Sequence, residues 1–331
     1  MEFVIFIILL ALVFDFYNGM NDAANSIATV VATRVLSPFQ AVAWAAFFNF
    51  IAAFAFGVSV ATTIGKGMVD VSIVDNFVIL SGLVGAIILT ATATHLGLPI
   101  SVSHSIIGGY GGAAIAKAGF GALILSGYTK VMIFIFAAPL IGLVMAFIFS
   151  VITLWIVRNR EPRKVDKYFR KLQLVSAALY SLSHGSNDAQ KTIGIITILL
   201  FTNGLLGSTF YVPFYAIILS HAVIAFGTLV GGWKVIRTLG MRVTKLTPFG
   251  GFSAETSAGL TIIGATIFGI PVSTTHTITG SIIGVGSVKG LSAVRWGVAK
   301  NILWAWILTI PLSAIFAMIT YKIVVYLSTF F

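Results

Sequence analysis

The chain has 331 residues, of which 58% are hydrophobic and only 9% charged, and its mean hydropathy is +1.05. A soluble domain carries about 25% charged residues, so the composition is that of an all-α polytopic membrane protein whose surroundings are a lipid bilayer. Cysteine is absent, which excludes disulfides and thiolate metal sites, and the net charge of +11 reads as basic loops on one side of a membrane, with no nucleic-acid partner.

Apolar segments fall at 3–34, 38–62, 73–96, 99–118, 129–157, 172–201, 211–232, 250–269, 271–290 and 295–325. The first run, Phe3 to Phe14, has the length of a signal-peptide core. Glu2 stands in place of a basic flank and no small-residue cleavage site follows, so a retained half-helix is expected. The first and sixth segments are interrupted by polar residues, and the fourth and ninth are rich in glycine. Residues 158–171 hold seven Lys and Arg against two acids and form the one conspicuous hydrophilic linker. No nucleotide-binding loop ending in Gly-Lys-Ser or Gly-Lys-Thr occurs, which argues against transport driven by ATP hydrolysis within the chain.

Two motifs occur twice in the same order. Asn21-Asp22-Ala23 returns as Asn187-Asp188-Ala189, an offset of 166 residues, and Pro99-Ile100-Ser101-Val102-Ser103-His104 returns as Pro271-Val272-Ser273-Thr274-Thr275-His276, an offset of 172. The chain therefore divides into a first membrane repeat at 1–157, the basic linker at 158–171 and a second repeat at 172–331. About five segments per half is an odd number, so the second half is inverted relative to the first. Placing the linker in the cytoplasm puts both termini outside. It also collects fifteen Lys and Arg inside against four outside, with Lys191 within a segment. This topology takes each Gly-rich segment as a crossing; a re-entrant hairpin followed by a short helix such as 120–128 fits the same residues.

An ionised Asp in hydrocarbon demands a partner. Asp22 and Asp188 thus imply a bound Na⁺, a proton or a basic side chain; the bland alternative, a helix-capping Asp, loses ground because the acid recurs at matching positions. Asn18-Gly19 and His184-Gly185 are expected helix breaks whose free ends would line an enclosed cavity. Lys191, aligned with Asn25, either neutralises Asp188 or meets an anionic substrate. Ser101, Ser103 and Ser105 in one half, with Ser273, Thr274, Thr275 and Thr277 in the other, offer hydroxyls able to hold an oxyanion without full charge. Small-residue helix packing is the competing reading. His104 and His276 match across the halves but lack further ligands at metal spacing, so a structural role is favoured. His184, without a repeat partner, ranks lower still. Glu255 and Asp15 stay open between cation ligand, proton site and ordinary polar residue. The Trp residues read as interfacial anchors or packing.

At GMNDAANSIAT (19–29), GLPISVSHSIIGG (97–109), HGSNDAQKTIGI (184–195) and GIPVSTTHTITGS (269–281) the sequence resembles the inorganic phosphate transporter (PiT) family. The resemblance covers nearly the whole chain. It implies an inverted-repeat symporter moving inorganic phosphate with Na⁺ or H⁺, without an organic cofactor, and in many members a homodimer. Within that resemblance, Asn21, Asp22, Asn187, Asp188, Ser101 and Ser273 are expected at the cations, with Na⁺ favoured. Ser103, Ser105, Thr275, Thr277, Asn25 and Gln190 are expected at phosphate. Sulfate is the runner-up substrate. A passive anion channel is disfavoured by the two buried acids, and an enzyme by the lack of any nucleophile–base set.

Overall fold

The computed structural model describes residues 1–242 and 244–330, without the side chains of 239–242; Arg242, counted above among the inner basic residues, lies outside the described side chains. Six helices form each half. The first set is α1 (Glu2–Ala32), α2 (Pro38–Ile51), α3 (Ser59–Lys66), α4 (Asn76–Leu96), α5 (Val102–Ala118) and α6 (Leu125–Val157). The second is α7 (Pro162–Thr202), α8 (Phe214–Val230), α9 (Trp233–Arg242), α10 (Pro248–Ile267), α11 (Thr274–Val288) and α12 (Trp296–Ser328). Lengths follow the same rhythm in both, and a 3₁₀ turn precedes each last helix (Phe120–Ala122 and Leu291–Ala293).

Local signals account for many of the boundaries. Ser37 and Gln40 form a capping box at the start of α2, with Pro38 in the first turn. Asp75 accepts from Val78 N at 2.8 Å at the start of α4. Gly97 (φ +74°) and Gly269 (φ +66°) turn the chain out of α4 and α10 through the left-handed region, and a proline follows each by two residues. Pro162 starts α7 within the basic linker, so only 158–161 remain as a connection and most of the linker is helix.

Helices α1 and α7 run antiparallel. Arg170 Nη2 donates to Arg34 O at 2.5 Å and Thr33 Oγ1 to Gln173 Oε1 at 2.8 Å, which brings the end of α1 to the start of α7. Equivalent helices of the halves thus point in opposite directions, as inverted repeats require. Packing is reciprocal: α5 lies against α12 and α11 against α6, while α1 lies against α8 and α7 against α2.

Neither α1 nor α7 breaks, contrary to expectation at Asn18-Gly19 and His184-Gly185; residues 3–14 are likewise part of a full helix. The glycines serve close approach instead. A Cβ on Gly19 would lie 2.1 Å from Ile224 O of α8, and one on Gly185 would lie 2.7 Å from Asn49 O of α2. The breaks fall at 97–101 and 268–273, between α4 and α5 and between α10 and α11. A further bend of 81° separates Pro38–Phe54 from α3, so the second apolar segment is two helices rather than one.

α1, α4, α6 and α12 are long and apolar enough to cross a membrane, and the bent α2–α3 pair adds a fifth candidate. α5 and α11, at 17 and 15 residues, rise about 25 Å or less, short of the ~30 Å hydrocarbon core. The Gly-rich segments are therefore the returning arms of two helical hairpins, followed by 3₁₀ turns rather than by a short helix such as 120–128.

Polar contacts sort the helix ends into two sets. Arg170 with Arg34, Lys234 with His95 O (2.9 Å), Thr238 with Gly97 O (3.2 Å) and Lys289 with Lys245 O (3.3 Å) mark one end. Lys117 with Asp75 (2.7 Å), Ile124 N with Met68 O (2.9 Å) and Asn203 with Asn76 (2.7 Å) mark the other.

Candidate functional site

On α1, Asp15, Asn18, Asp22, Asn25 and Thr29 recur every three or four residues and so share one face. On α7, Gln173, Ser176, Tyr180, His184, Asp188 and Lys191 do the same. All are buried. The antiparallel helices set these stripes together as a polar column with three acidic levels: Glu255 near the basic end, Asp22 with Asp188 in the middle, and Asp15 towards the opposite end.

The middle level is the densest. His184 Nε2 lies 3.0 Å from Asp188 Oδ2 and 3.7 Å from Asp22 Oδ2. Lys191 Nζ donates to Asp188 Oδ1 and, at 3.1 Å, to Val272 O. Thr274 Oγ1 is 3.0 Å from Asp188 Oδ2 and 3.3 Å from Asp22 Oδ2, and Thr275 Oγ1 is 3.2 Å from Asp22 Oδ1. Asn25 Nδ2 donates to Thr275 Oγ1 at 2.9 Å. One ligand atom from each of Asp22, His184 and Asp188 lies within 4.8 Å of the others, a cluster whose carboxylate and hydroxyl oxygens suit a hard cation.

His184 is held in place from behind. Thr228 donates its hydroxyl to Ile224 O, so its oxygen accepts from Asn49 Nδ2 at 2.9 Å, which turns Asn49 Oδ1 towards His184 Nδ1 at 3.1 Å. Nδ1 therefore carries a proton, and Nε2 is presented to the carboxylates.

The hairpins bring the N-termini of α5 and α11 head to head over this cluster. Ser103 Oγ donates to Val272 O at 3.0 Å and lies 3.5 Å from Asp188, while Thr275 faces Ile100 O at 3.2 Å. Two helix N-termini aimed at one point supply free N–H groups and the positive ends of two dipoles, which favour an anion.

The structure gathers Asp22, Asp188, Asn25, Ser103 and Thr275 from the expected residues and turns the others elsewhere. Ser101 and Ser273 cap α5 and α11, accepting from His104 N and His276 N at 3.2 Å each. Ser105 donates to Ala86 O and Thr277 to Ser273 O, at 3.1 and 2.9 Å. Gln190 Oε1 accepts from Val60 N at 2.8 Å, at the start of α3. Asn21 donates to Thr94 (2.9 Å) and Asn187 to Thr266 (2.8 Å), an equivalent pair that ties each motif to the neighbouring hairpin. Direct contact of these seven with the Asp pair is thus absent here, because backbone groups and neighbouring helices take up the hydrogen bonds they make.

Two residues ranked low or passed over join the centre. His184, one helical turn before Asp188, is legible as a same-face neighbour once α7 is continuous. Thr274, named among the hydroxyls after Pro271 but assigned to neither ligand, is brought to both acids by the folded hairpin. Lys191 neutralises Asp188, one of its two anticipated roles. Glu255 accepts from Thr29 at 2.6 Å, Gln173 at 2.9 Å and Ser176 at 2.5 Å, a fully engaged carboxylate. His104 and His276 pack edge to face at 4.7 Å, and His276 stacks on buried Trp306 at 3.7 Å. Neither belongs to the cation-ligand cluster.

Known proteins agree with this architecture. The model of the phosphate transporter family (PHO4) matches residues 18–163 and again 157–317. A probable low-affinity inorganic phosphate transporter of Rhizobium meliloti (strain 1021) is 53% identical over 315 residues, covering 95% of this chain and 94% of the relative. One of the same description from Bacillus subtilis (strain 168) is 43% identical over 321 residues, 96% of each. A solved structure titled the sodium-dependent phosphate transporter superposes with a TM-score of 0.88 at 27% identity, over 98% of this chain and 99% of that one. These relatives are transporters rather than enzymes, and the twofold match follows the two halves of the helical fold. The chain belongs to the phosphate transporter family.

Proposed function

We propose that this protein imports inorganic phosphate across the cell membrane as a secondary symporter, coupled to a cation gradient and working by alternating access. The observation that carries the reading is the meeting of the α5 and α11 N-termini over Asp22 and Asp188. Phosphate near neutral pH is an anion, and carboxylates alone repel it. Lys191 pairs with Asp188 and not with Asp22, and the His184 edge lies closer to Asp188 (3.0 Å) than to Asp22 (3.7 Å). A cation lodged among Asp22, Asp188, Thr274 and Thr275 removes the remaining repulsion and lets phosphate approach the helix N-termini, Ser103 and Asn25. Each ligand then favours the other, which is the thermodynamic content of coupling.

Na⁺ is favoured over H⁺ because the column is rich in acceptors. The Oδ1 atom of Asn25, on the face of the column, is buried without a hydrogen-bond partner, and a hard cation engages such an oxygen. Phosphate is favoured over sulfate because its P–OH group can donate to a carboxylate of the centre. The end carrying Arg34, residues 158–171 and Lys245 is assigned to the cytoplasm, with both termini outside. A cavity of about 740 Å³ at that end, lined by Arg34, Arg237, Lys245 and Arg295 and reaching Ala28, suits an anion leaving the centre. The two halves, 1–157 and 172–331, act as the inverted units that rock about the site, and a homodimer is the assembly that the family resemblance implies.

Labelled phosphate uptake into proteoliposomes, with Na⁺ and pH gradients imposed separately, tests the reading. Accumulation driven by the Na⁺ gradient alone is the expected result. Accumulation driven only by the pH gradient overturns Na⁺ coupling, and downhill flux unaffected by either gradient overturns symport.

A further inference from the structure

Asp15 sits on α1 two turns before Asp22, fully buried, and both its carboxylate oxygens lack a hydrogen-bond partner. Asn18 of α1, Thr192 of α7 and Ser220 of α8 are the polar side chains that face it. These three are 0–1% exposed, and Asn18 Oδ1, Thr192 Oγ1 and Ser220 Oγ also lack partners. Four neighbouring side chains from three helices therefore carry five oxygen atoms without a hydrogen-bond partner. Among the described residues Asp15 forms no ion pair with Lys, Arg or His. The charged group that bears on it is Asp188, of the same sign.

Glu255, at the other end of the column, defines the contrast. Its carboxylate is just as buried, yet three donors engage it. A buried carboxylate with only hydroxyl and amide neighbours and no counter-charge is an arrangement that protein interiors avoid. Something outside the chain must complete it.

We propose that Asp15, Asn18, Thr192 and Ser220 form a second monovalent-cation site, separate from the Asp22–Asp188 centre and nearer the Asn76–Asn203 end. A proton on Asp15 would serve one donor–acceptor pair and leave most of the oxygens idle, whereas a Na⁺-sized ion engages all of them. A divalent ion would leave an excess positive charge in a low-dielectric site, and the single carboxylate matches one unit charge. Seven residues of helix place Asp15 about 10 Å along the axis from Asp22 on the same face, so the two levels share one polar column. The site is a station for a cation on the outward side of the centre. This step rests on the cation-coupled reading above, and its test separates the two.

Equilibrium binding of radiolabelled Na⁺ to the purified, detergent-solubilised chain decides it. The medium is free of phosphate, with choline chloride holding ionic strength and pH fixed. Relative to wild type, Asp15→Asn is expected to lose one bound Na⁺ per chain and keep the one that Asp22→Asn removes, while Ser220→Ala and Thr192→Val weaken binding several-fold. Unchanged stoichiometry and affinity in Asp15→Asn overturn the second site, and if Asp22→Asn still loses a Na⁺, the central site stands alone. Loss in Asp15→Asn with none in Asp22→Asn supports the second site and overturns the cation role of the centre. Should Asp15→Asn fail to yield monodisperse protein, Ser220→Ala and Thr192→Val carry the test, and unchanged Na⁺ affinity in both overturns the proposal.

Discussion

Helices α1 and α7 descend from one motif and lie antiparallel at the core, yet they bring opposite chemistry to it. From α7 come His184 and Lys191, both directed at Asp188. From α1, at the matching positions, come Asn18 and Asn25, which are uncharged, and Asp15 stands where α7 has Ser181. What the halves share is what a helix pair needs: Gly19 and Gly185 for close approach, and Asn21 and Asn187 as ties to α4 and α10. Duplication thus preserved the scaffold, and divergence redistributed the charge. The basic side chains gather at Asp188, and Asp22 keeps the hydroxyls of Thr274 and Thr275 and the farther edge of His184.

The sharpest way to break that comparison is to remove each acid in turn. Asp188→Asn leaves Lys191 buried without its counter-charge and should destabilise the fold by about 3–5 kcal/mol, the usual cost of breaking a buried pair from one side. Asp22→Asn removes a group whose near partners are the hydroxyls of Thr274 and Thr275 and, at 3.7 Å, His184, which keeps Asp188 as its closer partner, and should leave the melting temperature close to wild type. Both variants should lose gradient-driven phosphate uptake in proteoliposomes. Thermal unfolding in detergent reads the difference, and equal melting temperatures would erase the asymmetry. Asp188→Asn combined with Lys191→Met should recover stability but not uptake.

A smaller effect tests what the halves have in common. Gly19→Ala places a methyl group 2.1 Å from Ile224 O, and Gly185→Ala places one 2.7 Å from Asn49 O. Backbone atoms cannot swing aside, so each substitution should cost about 1–3 kcal/mol, with Gly19→Ala the more severe. Melting temperatures that match wild type would mean that the helices have room the structure does not show.

These glycines also mark where the sequence misled. A Gly beside Asn18 or His184 in an apolar run looks like a broken helix, because a lone chain cannot reveal that a second backbone lies against it. Gly97 and Gly269, each two residues ahead of a proline, carried their meaning locally, and there the breaks occur. The duplication, the inversion and the Asp22–Asp188 meeting point were legible because they rest on residue identity repeated in order. The hydroxyl assignments were less so. Ser101, Ser103 and Ser105 look equivalent in sequence, but the start of α5 sends the first to a backbone N–H, the second towards Asp188 and the third against α4. His184 ranked low for want of a repeat partner, although the loss of symmetry at that position is what gives α7 its basic character.

Between the large and small effects lies Glu255→Gln. Glu255 accepts from Thr29, Gln173 and Ser176, and an amide keeps one acceptor oxygen while turning an NH₂ group on donors. A cost of about 1–3 kcal/mol follows from the hydrogen bonds left unmade, with phosphate and Na⁺ affinity little changed. A selective loss of Na⁺ binding with stability intact would move Glu255 from scaffold to ion path.

The smallest effect separates neighbouring hydroxyls on the two hairpins. Ser103 and Thr275 occupy equivalent positions facing the centre, and Ser105 and Thr277, two residues on, are bonded away from it to Ala86 O and Ser273 O. Ser103→Ala with Thr275→Ala should weaken phosphate binding roughly tenfold, about 1.4 kcal/mol. Ser105→Ala with Thr277→Ala should change it by no more than about twofold, since each lost bond is local to a hairpin and worth of order 1 kcal/mol to the fold. Equilibrium binding of labelled phosphate at saturating Na⁺ measures both. If the second pair proves as costly as the first, α5 and α11 must turn on loading phosphate so that all four hydroxyls reach it. The head-to-head helix ends would then be a moving part of the transporter rather than a fixed cradle.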